Sequence, residues 1–450
     1  MHAQDSPNSL DSPAATAPPR RSGLTVVAIC FFVVVFDGYD LIVYGASVPK
    51  LLAEPDWHLT PSRVGGIASW TLFGMLLGAL SSGALTERLG RRQIVLIGIT
   101  WFSVAMMACS AAPNPGSLTA LRFVAGLGLG GVIPSSIALT MEYAPRERRQ
   151  LYNALMFAGY PVGGVLAASL ARGLLAEHGW RPLFALGAAP LVLVLPIAWR
   201  YLPESPGYLL SRARTEEARA VAQQHGLDFE ALRREHTATM DKAGPRALFQ
   251  PNVVVATVLF GAASFCGLLL VYGLNTWLPH LMRKAGYDLG DALSFLIVLN
   301  VGAIIGAVSA SVLADRFGPK RASVGAFGAA VVSLVVLTHK MDQGWLYLAV
   351  AVAGFGSVGT QIIVNGYVGS HYPTRIRNAA LGWSLGIGRA GAILGPTLGG
   401  WMLDAGFGFE SNFYVFASVA ALGLLAIGFV PRPATSTSPA GLPAKEEMHA

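Results

Sequence analysis

Two carboxylates stand where an oily stretch of chain ordinarily carries none. Asp37 and Asp40 lie in Phe36-Asp37-Gly38-Tyr39-Asp40, inside an apolar run from about Leu24 to Tyr44. Three residues apart on a helix, they share one face. At the centre of a lipid-exposed helix each costs about 2.5–3.5 kcal/mol, so both are expected to face a polar interior. Burial disfavours the charged form of any carboxylate, and a pair kept in touch with water is therefore suited to bind and release protons. The competing reading is a structural pair neutralised by an arginine from another helix.

The elements that must hold this pair are membrane helices. Of 450 residues, 53% are hydrophobic and 13% charged, against about 25% charged in a soluble domain. The 52 glycines fall largely within apolar runs, as in closely packed membrane helices. The net charge of +7 comes from basic residues in short loops rather than on one soluble face, which argues for topology signals and against nucleic-acid binding. Cys30, Cys109 and Cys266 sit inside apolar runs with no disulfide or metal spacing, and no cofactor or metal is expected.

Spans are expected at about 23–46, 62–84, 93–112, 117–142, 151–174 and 182–202, then 252–277, 290–314, 321–338, 344–367, 378–403 and 411–430. The fold class is thus an all-α membrane protein with twelve transmembrane helices in two homologous six-helix bundles. The chain divides into a disordered tail (1–22), a first bundle (23–202), a central loop (203–251), a second bundle (252–430) and a disordered tail (431–450). Arg20, Arg21, Arg88, Arg91, Arg92, Arg146, Arg148, Arg149, Arg316, Lys320, Arg321, Arg375 and Arg377 fall on one side. That side is expected to be cytoplasmic, with both termini and the central loop. The chain is expected in the cytoplasmic membrane, surrounded by the lipid bilayer, as a monomer.

The halves repeat. Glu87 in Gly83-Ala84-Leu85-Thr86-Glu87-Arg88-Leu89-Gly90-Arg91-Arg92 corresponds to Asp315 in Ser311-Val312-Leu313-Ala314-Asp315-Arg316-Phe317-Gly318-Pro319-Lys320, 228 positions on. The same offset carries Pro145 onto Pro373 and Arg149 onto Arg377. A carboxylate beside a glycine turn and several cations suits a latch between two bundles, with Glu87, Arg88, Arg91, Arg92, Asp315, Arg316 and Lys320 as its charges. Glu142 and Arg148, at the end of the fourth span, are candidates for the same gate.

These loops resemble the motif Gly-x-Leu-Ala-Asp-Arg-x-Gly-Arg-Lys of the major facilitator superfamily, over essentially residues 23–430. The second copy keeps Ala314-Asp315-Arg316, whereas the first has Thr86-Glu87, a longer acid. Pro203-Glu204-Ser205-Pro206 is similar to the Pro-Glu-Ser-Pro motif of sugar porters and related subfamilies. Asp37-Gly38-Tyr39-Asp40 resembles the Asp-Gly-x-Asp signature of the aromatic acid:proton symporter family, and Phe36 to Gly45 most resembles its benzoate-type members. The resemblance implies proton-coupled uptake of monocyclic aromatic carboxylates, with Asp37 and Asp40 needed for transport.

Other residues complete a candidate path. Arg122 lies near the outer end of the fourth span at a depth comparable to the aspartates, and is expected to pair with one of them, as a partner that switches or as a fixed bridge. Arg389 lies midway along the eleventh span and is the candidate carboxylate clamp. Tyr39, Tyr160, Trp383 and Tyr272 are candidates for ring stacking. Asn275 and Gln361, with Asn300 and Asn365, are candidates for ring hydroxyls, though such groups also bridge helices. His58, His178, His280 and His339 fall at outer ends or loops, so the carboxylates are the expected coupling groups. The alternatives are a porter of the same fold for a sugar or quinate-like acid, or a drug:proton antiporter. No nucleophile–base pair or phosphate loop argues for an enzyme.

Overall fold

The computed structural model describes residues 23–145, 148–239, 245–251, 253–339 and 341–431. The tails expected to be disordered (1–22 and 431–450), apart from Pro431, lie outside the described residues, as do Arg20, Arg21 and Arg146. The first half comprises α1 (Gly23–Leu52), α2 (Pro61–Leu89), α3 (Arg91–Ser110), α4 (Pro115–Tyr143), α5 (Arg149–Phe157), α6 (Gly159–His178), α7 (Arg181–Leu186), α8 (Pro190–Leu193) and α9 (Leu195–Tyr201). A central group follows, α10 (Pro206–Ser211), α11 (Thr215–His225) and α12 (Phe229–Thr239). The second half comprises α13 (Val254–Lys284), α14 (Leu289–Phe317), α15 (Pro319–Val336), α16 (Gln343–Gly354), α17 (Thr360–His371), α18 (Thr374–Asp404) and α19 (Phe409–Phe429). Among the described residues there is no strand. Among the described residues, eleven spans are long and apolar enough to cross a membrane. The 31-residue α18 is the twelfth, its apolar character diluted by glycines and Arg389.

Several spans expected as continuous are broken, each for a local reason. Pro161 cannot donate to the carbonyl four residues back, and the fifth span parts at Ala158 into α5 and α6. Pro190 and Pro196 divide the sixth span into α7, α8 and α9. The tenth span carries a π-helical turn, Phe355–Gly359, between α16 and α17. Its glycines press on neighbours: a Cβ on Gly354 would lie 1.9 Å from the Leu299 carbonyl oxygen.

Within the first half, α1 and α6 meet backbone to backbone. A Cβ on Gly38 would stand 2.0 Å from the Tyr160 carbonyl oxygen, and one on Gly163 would stand 1.8 Å from that of Val35. Because no flexible side chain is available to yield there, Gly38→Ala is expected to cost about 1–3 kcal/mol through overpacking. A thermal melt of the purified variant measures it; an unchanged midpoint would refute the contact.

The halves meet along α2 with α18, α6 with α14 and α1 with α13. At the end of the molecule away from the basic loops this seam is closed. A Cβ on Gly400 would lie 2.5 Å from the Pro61 carbonyl oxygen, and one on Gly65 would lie 2.4 Å from that of Pro396. The Ser69 hydroxyl lies 2.6 Å from both the Ile393 carbonyl and the Thr397 hydroxyl. Followed towards the basic end the same two stripes separate. Gly83 of α2 and Gly382 and Gly386 of α18 face open space, and Leu80 is 70% exposed. The molecule is shut at the far end and open at the basic end.

The central helices dock on the basic end of the first half. Ser205 caps α10, accepting from the Tyr208 N–H at 3.1 Å, and its hydroxyl donates to Glu142 at 2.6 Å. The Tyr143 hydroxyl donates to the Glu204 carbonyl and that of Tyr208 to the Arg88 carbonyl.

Candidate functional site

Just on the open side of the seam, four helices converge two from each half. Asp37 comes from α1, Tyr160 from α6, Tyr272 from α13 and Arg389 from α18. The Tyr160 and Tyr272 rings meet edge to face with centroids 6.4 Å apart. Arg389 lies beside the Tyr272 hydroxyl, and its charge acts on Asp37, Tyr160 and Tyr272 alike. Asp37 is only 4% exposed, whereas the two tyrosines and Arg389 are partly open. Among the described residues, Asp37 Oδ1, Arg389 Nη1 and the Tyr160 hydroxyl have no hydrogen-bond partner.

Buried polar atoms are as a rule paired, because leaving one unpaired costs about 1–3 kcal/mol and more for charged groups. Here an acid, a guanidinium and a phenol all retain bonding capacity around one point between the halves. A guanidinium offers a carboxylate two parallel bonds, and the tyrosine rings offer an aromatic edge or face. The arrangement can hold a small aromatic anion and hand a proton to or from Asp37.

Asp40 is one helical turn on and has a different environment. Arg122 donates to its Oδ1 in an ion pair whose members are 1% and 0% exposed. The guanidinium is packed between the Tyr44 and Phe184 rings, 5.3 and 5.7 Å from their centroids, and contacts Met106 Sδ at 3.6 Å. Every one of these partners belongs to the first half. The two aspartates on one helix face thus differ in partner: Asp40 has an ion pair within its own bundle and Asp37 has none, while Asp40 Oδ2 and Arg122 Nε also lack partners and Arg122 lines a small cavity with Tyr272, Asn275 and Thr276.

Several expected residues are placed elsewhere. Tyr39 points into its own half, its hydroxyl donating to the Leu183 carbonyl at 2.7 Å. Trp383 lies six residues from Arg389 towards the basic end, its indole N–H on the Thr257 carbonyl and its ring edge-on to Phe249. Asn275 accepts from Asn300 at 3.1 Å and donates to the Val271 carbonyl, so it bridges α13 and α14. Gln361 donates to Asn365 and Ser264 inside the second half, against Gly267.

The gate residues likewise engage locally. Arg91 pairs with Glu142, and Arg92 donates to the Leu202 and Trp199 carbonyls while its N–H meets Glu204. Lys320 donates to the Val430 carbonyl at 2.7 Å. Glu87, Arg88, Asp315, Arg316 and Arg148 are exposed, and among the described residues neither Glu87 nor Asp315 makes an ion pair. Charges expected to latch the halves together stand apart, as the open basic end requires.

Comparison with known proteins fits this architecture. Residues 30–384 and 302–447 match the Major Facilitator Superfamily. The chain belongs to that superfamily. Among relatives of this facilitator is the gentisate transporter of Corynebacterium glutamicum, 40% identical over 412 residues, covering 91% of this chain and 88% of that one. The benzoate transport protein of Acinetobacter baylyi is 36% identical over 89% of this chain and 88% of its own. Among solved structures, the partially occluded inward-open xylose transporter XylE of E. coli superposes with a TM-score of 0.74 at 21% identity. That alignment covers 91% of the facilitator and 98% of XylE, and shows a shared fold.

Proposed function

We propose that this facilitator imports a monocyclic aromatic carboxylate with protons, by alternating access and without chemical conversion of its cargo. Its basic end then faces the cytoplasm, in keeping with the excess of arginine there. The observation that carries the reading is that the Arg389 charge acts on Asp37 from across the interface without an ion pair between them, both with bonding capacity unused and two tyrosine rings between the halves. A guanidinium at that depth selects an anion over a sugar, and relatives named for gentisate, benzoate and gallate transport point to the aromatic class.

Coupling follows from one cation shared by two acids. With cargo bound, its carboxylate takes the Arg389 fork, and Asp37 is left buried beside an anion. Two like charges at close range in a poorly solvated site repel, so Asp37 is held as the neutral acid. When cargo leaves, Arg389 again serves Asp37, which can release its proton. Asp40, fixed by Arg122, keeps α1 at the rotation that presents Asp37. A monoanion carried with one proton moves no net charge; each further proton adds about 2.3 kcal/mol per 100 mV.

The test is uptake into proteoliposomes of labelled benzoate and gentisate, with xylose as a control and an imposed pH gradient. Asp37→Asn is expected to abolish accumulation against a gradient while leaving exchange of internal for external cargo. Accumulation at the parent level in that variant would end the coupling proposal.

A further inference from the structure

Asp404 is the last residue of α18, an unfavourable place for an acid, because the carbonyl end of its own helix is negative. Its partner is on the other half. Asp404 Oδ2 accepts from the backbone N–H of Ser62 at 2.9 Å and also from the Ser62 hydroxyl, 342 residues away in sequence. Ser62 is the second residue of α2, one of the positions whose N–H has no acceptor within the helix. The cap within α2 itself is weak: Thr60 accepts only from Arg63, at 3.4 Å. The first turn of α2 is therefore capped in trans, by a carboxylate across the seam.

The contact sits at the top of the closed stripe, beyond Gly400 on Pro61 and Gly65 on Pro396. Nothing in this contact survives separation of the far ends, whereas the glycine contacts below it cost only dispersion to undo. We propose that Asp404 is a positioning residue for the transport cycle: it holds the far end shut by capping α2, and its release accompanies opening to that side. Loss of a helix cap changes an equilibrium by roughly fivefold. Here the equilibrium is between the far-shut and far-open forms, so the effect falls on which side is open rather than on folding.

The experiment measures distances by pulsed electron paramagnetic resonance on the full chain in nanodiscs. One spin-label pair is placed at Asp56→Cys and Phe407→Cys, both exposed at the far end, and a second at Leu85→Cys and Phe317→Cys at the basic end. The native cysteines are buried and compete little for label. Asp404→Ala is expected to raise the ratio of long to short distances at the far end about fivefold and to lower it at the basic end. Asp404→Asn keeps a capping oxygen and is expected to lie between the two. Unchanged distributions at both ends in Asp404→Ala would overturn the proposal, as would broadening at both ends together, which marks general loosening. The distances need no cargo, so this result stands apart from the substrate assignment.

Discussion

Replacing Arg389 by glutamine is expected to weaken aromatic acid binding about thirtyfold or more and to reduce accumulation to background. Removing one partner of a buried, hydrogen-bonded charge pair costs about 2–5 kcal/mol, and each 1.4 kcal/mol is tenfold in affinity. Glutamine keeps a donor but neither the charge nor the planar fork. Arg389→Lys separates those two properties, because it retains a cation and loses bidentate geometry. About a tenfold loss is expected from it, with accumulation still detectable. Binding of labelled benzoate to purified protein, alongside proteoliposome uptake, measures both. Equal affinity in Arg389→Lys and the parent would show that the site uses a diffuse positive field; retained affinity in Arg389→Gln would place the carboxylate elsewhere. Protein from both variants should be obtained in normal yield, since Arg389 is partly exposed and makes no ion pair among the described residues.

Much of the architecture was legible because bilayers impose simple rules. Length and hydropathy mark spans, cations mark one side, and the 228-residue offset marks two related halves. Asp37 and Arg389 stand out in the sequence because an ionisable group in an apolar run is costly wherever it sits. What hydropathy does not encode is rotation about the helix axis. Trp383 is only six residues from Arg389, yet this is about 9 Å along α18, enough to remove it from the site. Tyr39 shows a signal that was present and misread. Residues two apart do not share a helix face, so a tyrosine next to Asp40 and two from Asp37 could not stack with cargo beside Asp37. Asn275 bonds within the second half, and so does the Gln361 amide N–H, although Gln361 Oε1 is left without a partner. Polar side chains in spans choose between helix and ligand through packing that no single segment contains. The Ser62–Asp404 cap was invisible for the same reason: each residue is an ordinary loop-end polar group, and only the folded seam joins them. The prolines that divide the fifth and sixth spans were visible as residue types, but a membrane tolerates such breaks when neighbours cover them.

The largest effect on folding is expected at Asp40 and Arg122. Arg122→Met alone leaves Asp40 buried without its cation, and Asp40→Leu alone leaves a guanidinium enclosed by Tyr44, Phe184 and Met106. Either is expected to cost about 3–5 kcal/mol and most of the folded yield, whereas an apolar pair of similar volume is often neutral or stabilising. The double variant Asp40→Leu, Arg122→Met should therefore recover the thermal midpoint of the parent to within a few degrees. Its transport then separates the two roles open to the pair. Arg122 has its ion pair and ring contacts within the first half, and it also lines a small cavity with Tyr272, Asn275 and Thr276 of the second half. The coupling proposed above rests on Asp37 and Arg389 rather than on an exchange of partners between the aspartates. The refolded double variant is accordingly expected to accumulate cargo under a pH gradient. If it binds benzoate normally and only equilibrates it, Asp40 itself ferries the proton, and the division of labour between the two aspartates must be reversed.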